Sequence, residues 1–518
     1  MKNVFRFRSG LLLLPFIAIL VTSCSKKTVE PGEAAKNLIS SKEPVMLVSL
    51  SIKSILDKGG ISNYENVPLM VRPLMGDKMN MFVKPDATGL DFAQKSYMLF
   101  YPGSPEPEMI MISKVTDKDK ATSFLADSFE TEPQDNDGYS YIIDETVQAW
   151  NDKLFIVASI KGGKEEKLKR MSEIFETAAE SKGSPKKIFT NVLESKKDIA
   201  MCISQVHAME MGGQKAGEEA SRILKDCYTV VTAAFENGKI SVKMNAELTA
   251  LAKKEMNFFS KGGLPESYKS YMGINEPWAA IGINMNFDSY YTKVMNFIPE
   301  VVREQLEREM GMDITTDPQI KNMIGGLGEH IMISVSKGES VVSNETSDEK
   351  KYSYKPTIIG VIELKGDLLK TMLDSALAKF RKDGYYSFSD ESSPDKAAFL
   401  FLTKDNAAIF TNSQAVLNEL KTKGSLTKTS LSVAGHLFEY PIAGFADFNQ
   451  AKDEIGKYDE AAGSMLTEFE SVSYFGSTDE MTFEMNFKSK DKNGLWILLN
   501  TAKKASTDMM KKRFMPSL

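Results

Sequence analysis

Glu43-Pro44-Val45-Met46-Leu47-Val48-Ser49-Leu50 is a short apolar run that leads into a helical pattern around Ile52–Lys58, and it has a counterpart further along. Glu276-Pro277-Trp278-Ala279-Ala280-Ile281-Gly282-Ile283 leads in the same way into Phe287–Phe297. Apolar runs of this length, opened by a proline and followed by a helical period, read as strands. Further echoes keep the same order. Thr88-Gly89-Leu90 precedes a strand at Ser96–Tyr101, as Gly325-Gly326-Leu327 precedes one at Ile331–Val335. Glu108–Val115 runs into a helix from Asp117 to about Phe129, and Thr357–Leu364 into one from Asp367 to about Phe380. Asp137-Gly138-Tyr139 returns as Asp383-Gly384-Tyr385, and Val242-Lys243-Met244-Asn245 as Phe483-Glu484-Met485-Asn486. From Pro44 to Pro277, Gly89 to Gly326, Asp137 to Asp383 and Met244 to Met485 the offsets are 233, 237, 246 and 241 residues. Chance likeness would scatter them, so the pattern predicts two tandem related repeats, at about 43–260 and 276–507.

The strongest local signal inside a repeat is a hairpin. Tyr228–Phe235 and Lys239–Leu248 alternate around Glu236-Asn237-Gly238, and Asn-Gly is favoured turn chemistry. The second copy would use Ser471–Gly476, the turn Ser477-Thr478-Asp479, and Glu480–Phe487. Helices at Glu165–Glu180, Glu300–Gly311 and Ser413–Lys421 are interspersed, but few links resemble tight βαβ crossovers. The expected fold is therefore α+β, each repeat a mostly antiparallel sheet with covering helices. Ser260-Lys261-Gly262-Gly263-Leu264-Pro265 has the punctuation of a linker between them, and Lys337–Lys355 reads as a long polar hairpin loop.

The 518 residues are 42% hydrophobic and 26% charged, which is globular material with ample chain for packed cores. A formal charge of −6 leaves no footprint for nucleic acid. Three His (His207, His330, His436), far apart in sequence, argue against a multi-histidine metal site, and three Cys against a disulfide scaffold.

The N-terminus says where the chain goes. Lys2, Arg6 and Arg8 precede the apolar Leu11–Val21, which is too short for a bilayer span and suits a signal peptide. The run ends in Val21-Thr22-Ser23-Cys24, small residues for a peptidase and then a thiol for acylation, which resembles the lipobox of bacterial lipoproteins. Removing residues 1–23 takes away three positive charges and no acids, moving the formal charge from −6 to −9. Two or more acyl chains anchor stably where one does not. The triacylated, palmitate-type Cys24 implied by that resemblance would hold the body at a membrane without a spanning helix. Residues 24–42, with Lys26, Lys27, Pro31, Gly32 and Ser40-Ser41, read as a polar tether.

Chemistry-bearing spacings are scarce. No G-x-x-x-x-G-K-[ST], H-E-x-x-H, G-x-S-x-G or C-x-x-C occurs, so no catalytic residue, metal or cofactor is expected. Gly326-Leu327-Gly328 opens like a dinucleotide fingerprint, but Ile331 replaces its third glycine, leaving a turn before a strand. Ser393-Pro394-Asp395-Lys396 and Ser184-Pro185-Lys186-Lys187 spell S-x-x-K with a proline straight after the serine and no K-T-G partner. Asp135-Asn136-Asp137-Gly138 has Pro133 where an EF-hand loop would begin, so a solvated turn is expected. Met70, Met75, Met79 and Met81 could supply soft thioethers, but adaptable core or groove lining is the simpler reading. Asn344-Glu345-Thr346 is a glycosylation sequon in form only. Cys202 and Cys227 would meet an oxidising compartment, where a disulfide is possible; two separate buried thiols are the alternative.

The lipobox, the Glu43-Pro44–Leu50 strand entering a helix, the Gly89-Leu90-Asp91 turn and the twice-used architecture together resemble the lipoproteins of Bacteroides-type bacteria known as the domain of unknown function 4836 family. The resemblance spans nearly the whole mature chain and rests on hydrophobic patterns. It carries over no catalytic residues and implies attachment to the outer membrane of a diderm bacterium. Ser25-Lys26-Lys27 lacks the acidic residues often found after the Cys of surface-exposed lipoproteins, which leans towards the periplasmic face. The expected function is a non-enzymatic envelope module, either a structural element or a binder of a protein, glycan or lipid between its repeats. Trp278 and Tyr290-Tyr291 stand near the start of the second repeat as candidate seam residues. The alternative is a glycan hydrolase with an Asp/Glu pair about 5–10 Å apart in a cleft.

Overall fold

The computed structural model describes residues 29–67, 85–102, 108–180, 183–211, 217–294, 300–310, 317–342, 352–390, 393–404, 406–426, 432–456 and 460–514. The signal segment 1–23, Cys24, the cluster Met70, Met75, Met79 and Met81, and the sequon at Asn344 lie outside the described residues. The chain is α+β, built on antiparallel strands. Its residues fall into two compact units, one within Met1–Ser54 and Arg72–Lys196, the other within Ile55–Val71 and Lys197–Leu518.

The first unit holds β1 (Met46–Leu50), β2 (Leu90–Asp91), β3 (Ser96–Tyr101), β4 (Glu108–Val115), β5 (Gln134–Asn136), β6 (Tyr139–Ile143), β7 (Val147–Trp150) and β8 (Leu154–Ala158). They pair antiparallel in the order β1-β3-β4-β8-β7-β6-β5, and β2 joins β4 on the side that β3 occupies. Asp117 caps the Lys118–Phe129 helix by accepting from the Lys120 N–H. Ala121 and Leu125 on that helix close over Leu90, Phe92, Trp150 and Phe155, and the Trp150 indole N–H donates to Thr122 Oγ1 at 2.8 Å.

The segment expected as a tether is in part a helix, Pro31–Ser41, docked in this unit. Pro31 occupies a first-turn position that needs no N–H, and Ala34, Ala35, Leu38 and Ile39 form an i, i+4 stripe that is fully buried. Asn37 fastens it by donating to the Ala178 carbonyl on the Lys164–Ala179 helix at 2.8 Å.

The second unit holds β9 (Ile199–Ser204), β10 (Tyr228–Glu236), β11 (Lys239–Glu247), β12 (Pro277–Asn284), β13 (Leu327–Val342), β14 (Tyr352–Leu364), β15 (Arg381–Lys382), β16 (Tyr385–Asp390), β17 (Ser393–Lys404), β18 (Ala407–Thr411), β19 (Ile442–Asp447), β20 (Phe469–Gly476) and β21 (Glu480–Phe487). Their order is β9-β10-β11-β21-β20-β19-β12-β13-β14-β18-β17-β16-β15, antiparallel throughout. Both expected hairpins, β10–β11 and β20–β21, are present. The polar loop is shorter than expected: β13 and β14 stay paired to Val342↔Tyr352, well inside Lys337–Lys355.

The main core of this unit buries Ala280, Met332, Ile359, Val361 and Ile409 under Tyr268, Met272, Val416, Leu417 and Leu420. The last three come from the Gln414–Lys423 helix. Ser413 caps it through the Val416 N–H, and Gly424, left-handed at φ 78°, ends it. Other clusters form where Leu369 meets Leu364 and Ala408, and where Ile497 meets Ile240 and Phe487. Among the described residues no helix is long and apolar enough to cross a membrane.

Candidate functional site

Cys202 and Cys227 are both buried and both free, so the bridge considered from the sequence is not formed. Strand register explains why. Cys202 on β9 pairs with Val230 on β10, whereas the Cys227 carbonyl accepts from the N–H of Gln205, three residues further on and just past the end of β9. Three residues of strand separate the two levels by about 10 Å, and a disulfide needs Cα atoms within roughly 7 Å. Cys227 packs with Ile223, Leu224 and Ala252. Burial, and then the charge of Glu247, push the Cys202 thiol up to about 12.

Neither S-x-x-K serine stands one helical turn from its lysine. Ser184 precedes the Lys187–Leu193 helix, and Ser393 begins β17. Asp137-Gly138 is the turn between β5 and β6.

The second unit contains a polar cleft of about 440 Å³ where β12, β13 and β14 end. Asn286, Asp288, Glu329, His330, Glu363, Lys365 and Asn406 supply its polar side chains. Glu363 Oε2 accepts from the Glu329 N–H at 2.9 Å, the His330 N–H at 3.2 Å and His330 Nδ1 at 2.6 Å. A carboxylate accepting at Nδ1 fixes the imidazole tautomer, so neutral His330 presents Nε2 as an acceptor. Gly328 makes this approach possible, since a Cβ there would stand 2.3 Å from Glu363 Cγ. Glu329 accepts from Ser260 Oγ at 2.7 Å, and Asn286 caps the Phe287–Val294 helix through the Ser289 N–H. The Tyr268 ring lies 5.8 Å from His330, and burial and then Glu363 raise its hydroxyl pKa. Among the described residues no three His, Cys, Asp or Glu side chains are placed to hold a metal ion.

A second cavity in the same unit, about 380 Å³, is almost wholly apolar. Ala208, Met209, Leu224, Met256, Phe258 and Val294 line it, with Gln205 the one polar side chain among the described residues. Gln205 Nε2 donates to Thr229 Oγ1 at 3.4 Å. The Phe258 ring stands 4.9 Å from Phe259 and 5.0 Å, edge-on, from Tyr290, one of the aromatics singled out from the sequence. Every lining residue up to Phe258 belongs to the segment read as the first repeat; Val294 belongs to the second.

No family model matches the chain, and no curated protein does. Among solved structures, crystal form I of TP0453 aligns with a TM-score of 0.28 at 12% identity, covering 45% of this chain and 88% of that one. Crystal form III of TP0453 gives a TM-score of 0.24 at 11% identity over the same shares. Likeness of that size carries no argument about fold or activity.

Proposed function

We propose that this chain is a lipid-anchored module of a bacterial cell envelope, held to the outer membrane through Cys24, and that it binds its ligand without catalysis. The signal segment and Cys24, as sequence, support the anchor. A duplicated architecture is part of the reading. Leaving aside the two-residue β2, β1-β3-β4-β8-β7-β6-β5 corresponds strand for strand to β12-β13-β14-β18-β17-β16-β15. The triplet β9-β10-β11 likewise corresponds to β19-β20-β21. That ordering supports the repeats and the resemblance drawn from the sequence.

The observation that carries the binding reading is the apolar cavity lined by helices of the first repeat and by Val294 of the second. A preformed cavity of this size, mostly apolar with one polar group, is the usual form of a small-ligand site. Native mass spectrometry tests it: the body, residues 25–518, incubated with detergent-solubilised native envelope should retain a bound molecule. Retention of nothing overturns the reading.

The hydrolase reading keeps one supporting observation, the carboxylates of Asp288, Glu329 and Glu363 in the cleft with His330. Carboxylate–imidazole pairs serve as general bases. Yet Glu363 already accepts three hydrogen bonds on one oxygen, and no hydroxyl among the described residues is hydrogen-bonded to His330. Release of reducing sugar from envelope glycan that is lost in Glu329→Gln would favour it.

A further inference from the structure

We infer that the apolar cavity takes the tail of a single-chain anionic amphiphile, a fatty acid, and that Lys293 meets its carboxylate. The inference rests on the binding reading above and gives it a ligand class. Size comes first. A methylene fills roughly the share of one water molecule, about 30 Å³, so this open cavity of about 380 Å³ has room for a chain of up to about a dozen carbons. The lining comes second. Met209 and Met256 adapt to a flexible chain as branched side chains do not, and Phe258 gives one rigid wall. Among the described residues no charged side chain lines the cavity, so a head group has to remain at its edge.

Charge at that edge chooses the head. Lys293 directly precedes the lining residue Val294, and its Nζ donates to the carbonyls of Lys254 at 3.0 Å and Asn257 at 3.4 Å. Those two carbonyls bracket the lining residue Met256. An ammonium has three donors, so one N–H is left for a ligand oxygen. Lys253 and Lys254 stand exposed on the same helix end. Arg222 is taken up by Glu219 at 2.9 and 2.5 Å, with Glu255 acting on it more weakly, and Asp479 lies 4.0 Å from Lys253. At this helix end Lys253, Lys254 and Lys293 face Glu255 and Asp479, a small positive excess, while the acid Glu210 follows Met209 at another part of the lining. A cationic head would meet it unfavourably, and a carboxylate would gain a charge-assisted hydrogen bond from Lys293 that a neutral head makes only more weakly.

The test uses the mature chain from residue 24 carrying Cys24→Ser, which keeps it unacylated, and titrates dodecanoate and dodecyltrimethylammonium by calorimetry. One dodecanoate should bind per chain, at least about tenfold tighter than the cationic analogue. Lys293→Gln should erase that preference while dodecanoate still binds. Met209→Trp, which fills the cavity, should weaken dodecanoate by at least about tenfold. Should Met209→Trp misfold by circular dichroism, a diazirine-bearing dodecanoate on the unsubstituted cavity decides, with adducts expected at Met209, Met256 or Phe258. Adducts elsewhere, equal binding of both heads, or undiminished binding to folded Met209→Trp would overturn the inference. An envelope molecule retained in the mass-spectrometry experiment without dodecanoate binding overturns the ligand class alone. Retention of nothing overturns the binding reading itself.

Discussion

Asp198 ends the pairing of β9 with β10 and takes over what the next β9 residue would have done. The β9–β10 register stops at Ile199↔Ala233, and the buried Asp198 Oδ2 accepts the Phe235 N–H at 2.8 Å. Lys58 Nζ closes on the same carboxylate at 2.6 and 2.8 Å. Removing one partner of such a pair costs about 3–5 kcal/mol when both are buried. The Lys58 side chain is 34% exposed and can rehydrate, so Asp198→Ala should cost about 2–3 kcal/mol in a urea titration. Asp198→Asn, which keeps an acceptor for Phe235, should cost less. Cys202 gives the second expectation at this scale. Its raised pKa means the native state holds a proton that the unfolded chain, near its ordinary value of 9.0, releases first. Its contribution is fully present below about pH 9 and lost as pH climbs to about 12. Iodoacetamide at pH 8 should leave Cys202 unmodified until denaturant is added, and rapid native alkylation would contradict its burial. Little of this was legible beforehand. The cysteines are visible in the sequence, but whether they meet depends on a register set by long-range pairing. His330 and Glu363 are 33 residues apart, and only the β13–β14 pairing with a glycine at 328 brings them together.

Elements were far more legible than contacts, because periodicity and turn chemistry act locally. Asp137-Gly138 and Asp383-Gly384, matched in the sequence, are two-residue turns closing Asn136↔Tyr139 and Lys382↔Tyr385. Both residues of each turn have positive φ, 33° and 93° in the first, 33° and 82° in the second. That is the primed geometry suited to twisted hairpins, and it explains why the pair recurs. A Cβ at Gly384 would meet nothing, so the whole penalty of Gly384→Ala is backbone strain. It should cost about 1 kcal/mol, read as a lowered Tm, with Gly384→Asn milder. A loss of several kcal/mol would show that packing as well as φ is at stake. The docked Pro31–Ser41 helix is the instructive miss. Its stripe of Ala34, Ala35, Leu38 and Ile39 has helical spacing, but alanine carries little apolar weight, and the lysines and serines around it give a tether's composition. Burial against the Lys164–Ala179 helix decided what composition could not.

At the scale of the whole molecule, the pattern of the sequence and the packing of the fold draw different boundaries. The sequence reads as starting again near 260–276; the compact units divide at Lys196, with Ile55–Val71 also belonging to the second. The physical reason is that β9-β10-β11, read as the end of the first repeat, continues the second unit's sheet through seven register pairs between β11 and β21. The proposed repeat is a matter of sequence pattern, whereas an antiparallel edge pairs with whatever edge it can satisfy. Each unit has its own apolar core, the first around Trp150 and Leu125, the second around Met332 and Leu420. Domains with separate cores commonly break two-state behaviour. The three tryptophans make this testable, because Trp150 is in the first unit while Trp278 and Trp496 are in the second. Trp278 Nε1 is buried without a hydrogen-bond partner among the described residues, so Trp278→Phe removes an unsatisfied donor and should be tolerated. The Asn66 bond at Trp496 goes to its backbone carbonyl and survives Trp496→Phe. In the double variant, fluorescence reports the first unit alone while far-ultraviolet circular dichroism reports both. The fluorescence midpoint in urea should differ from at least one circular dichroism transition. A single coincident, two-state transition by both probes would mean that the units unfold together and that the division at Lys196 has no energetic counterpart.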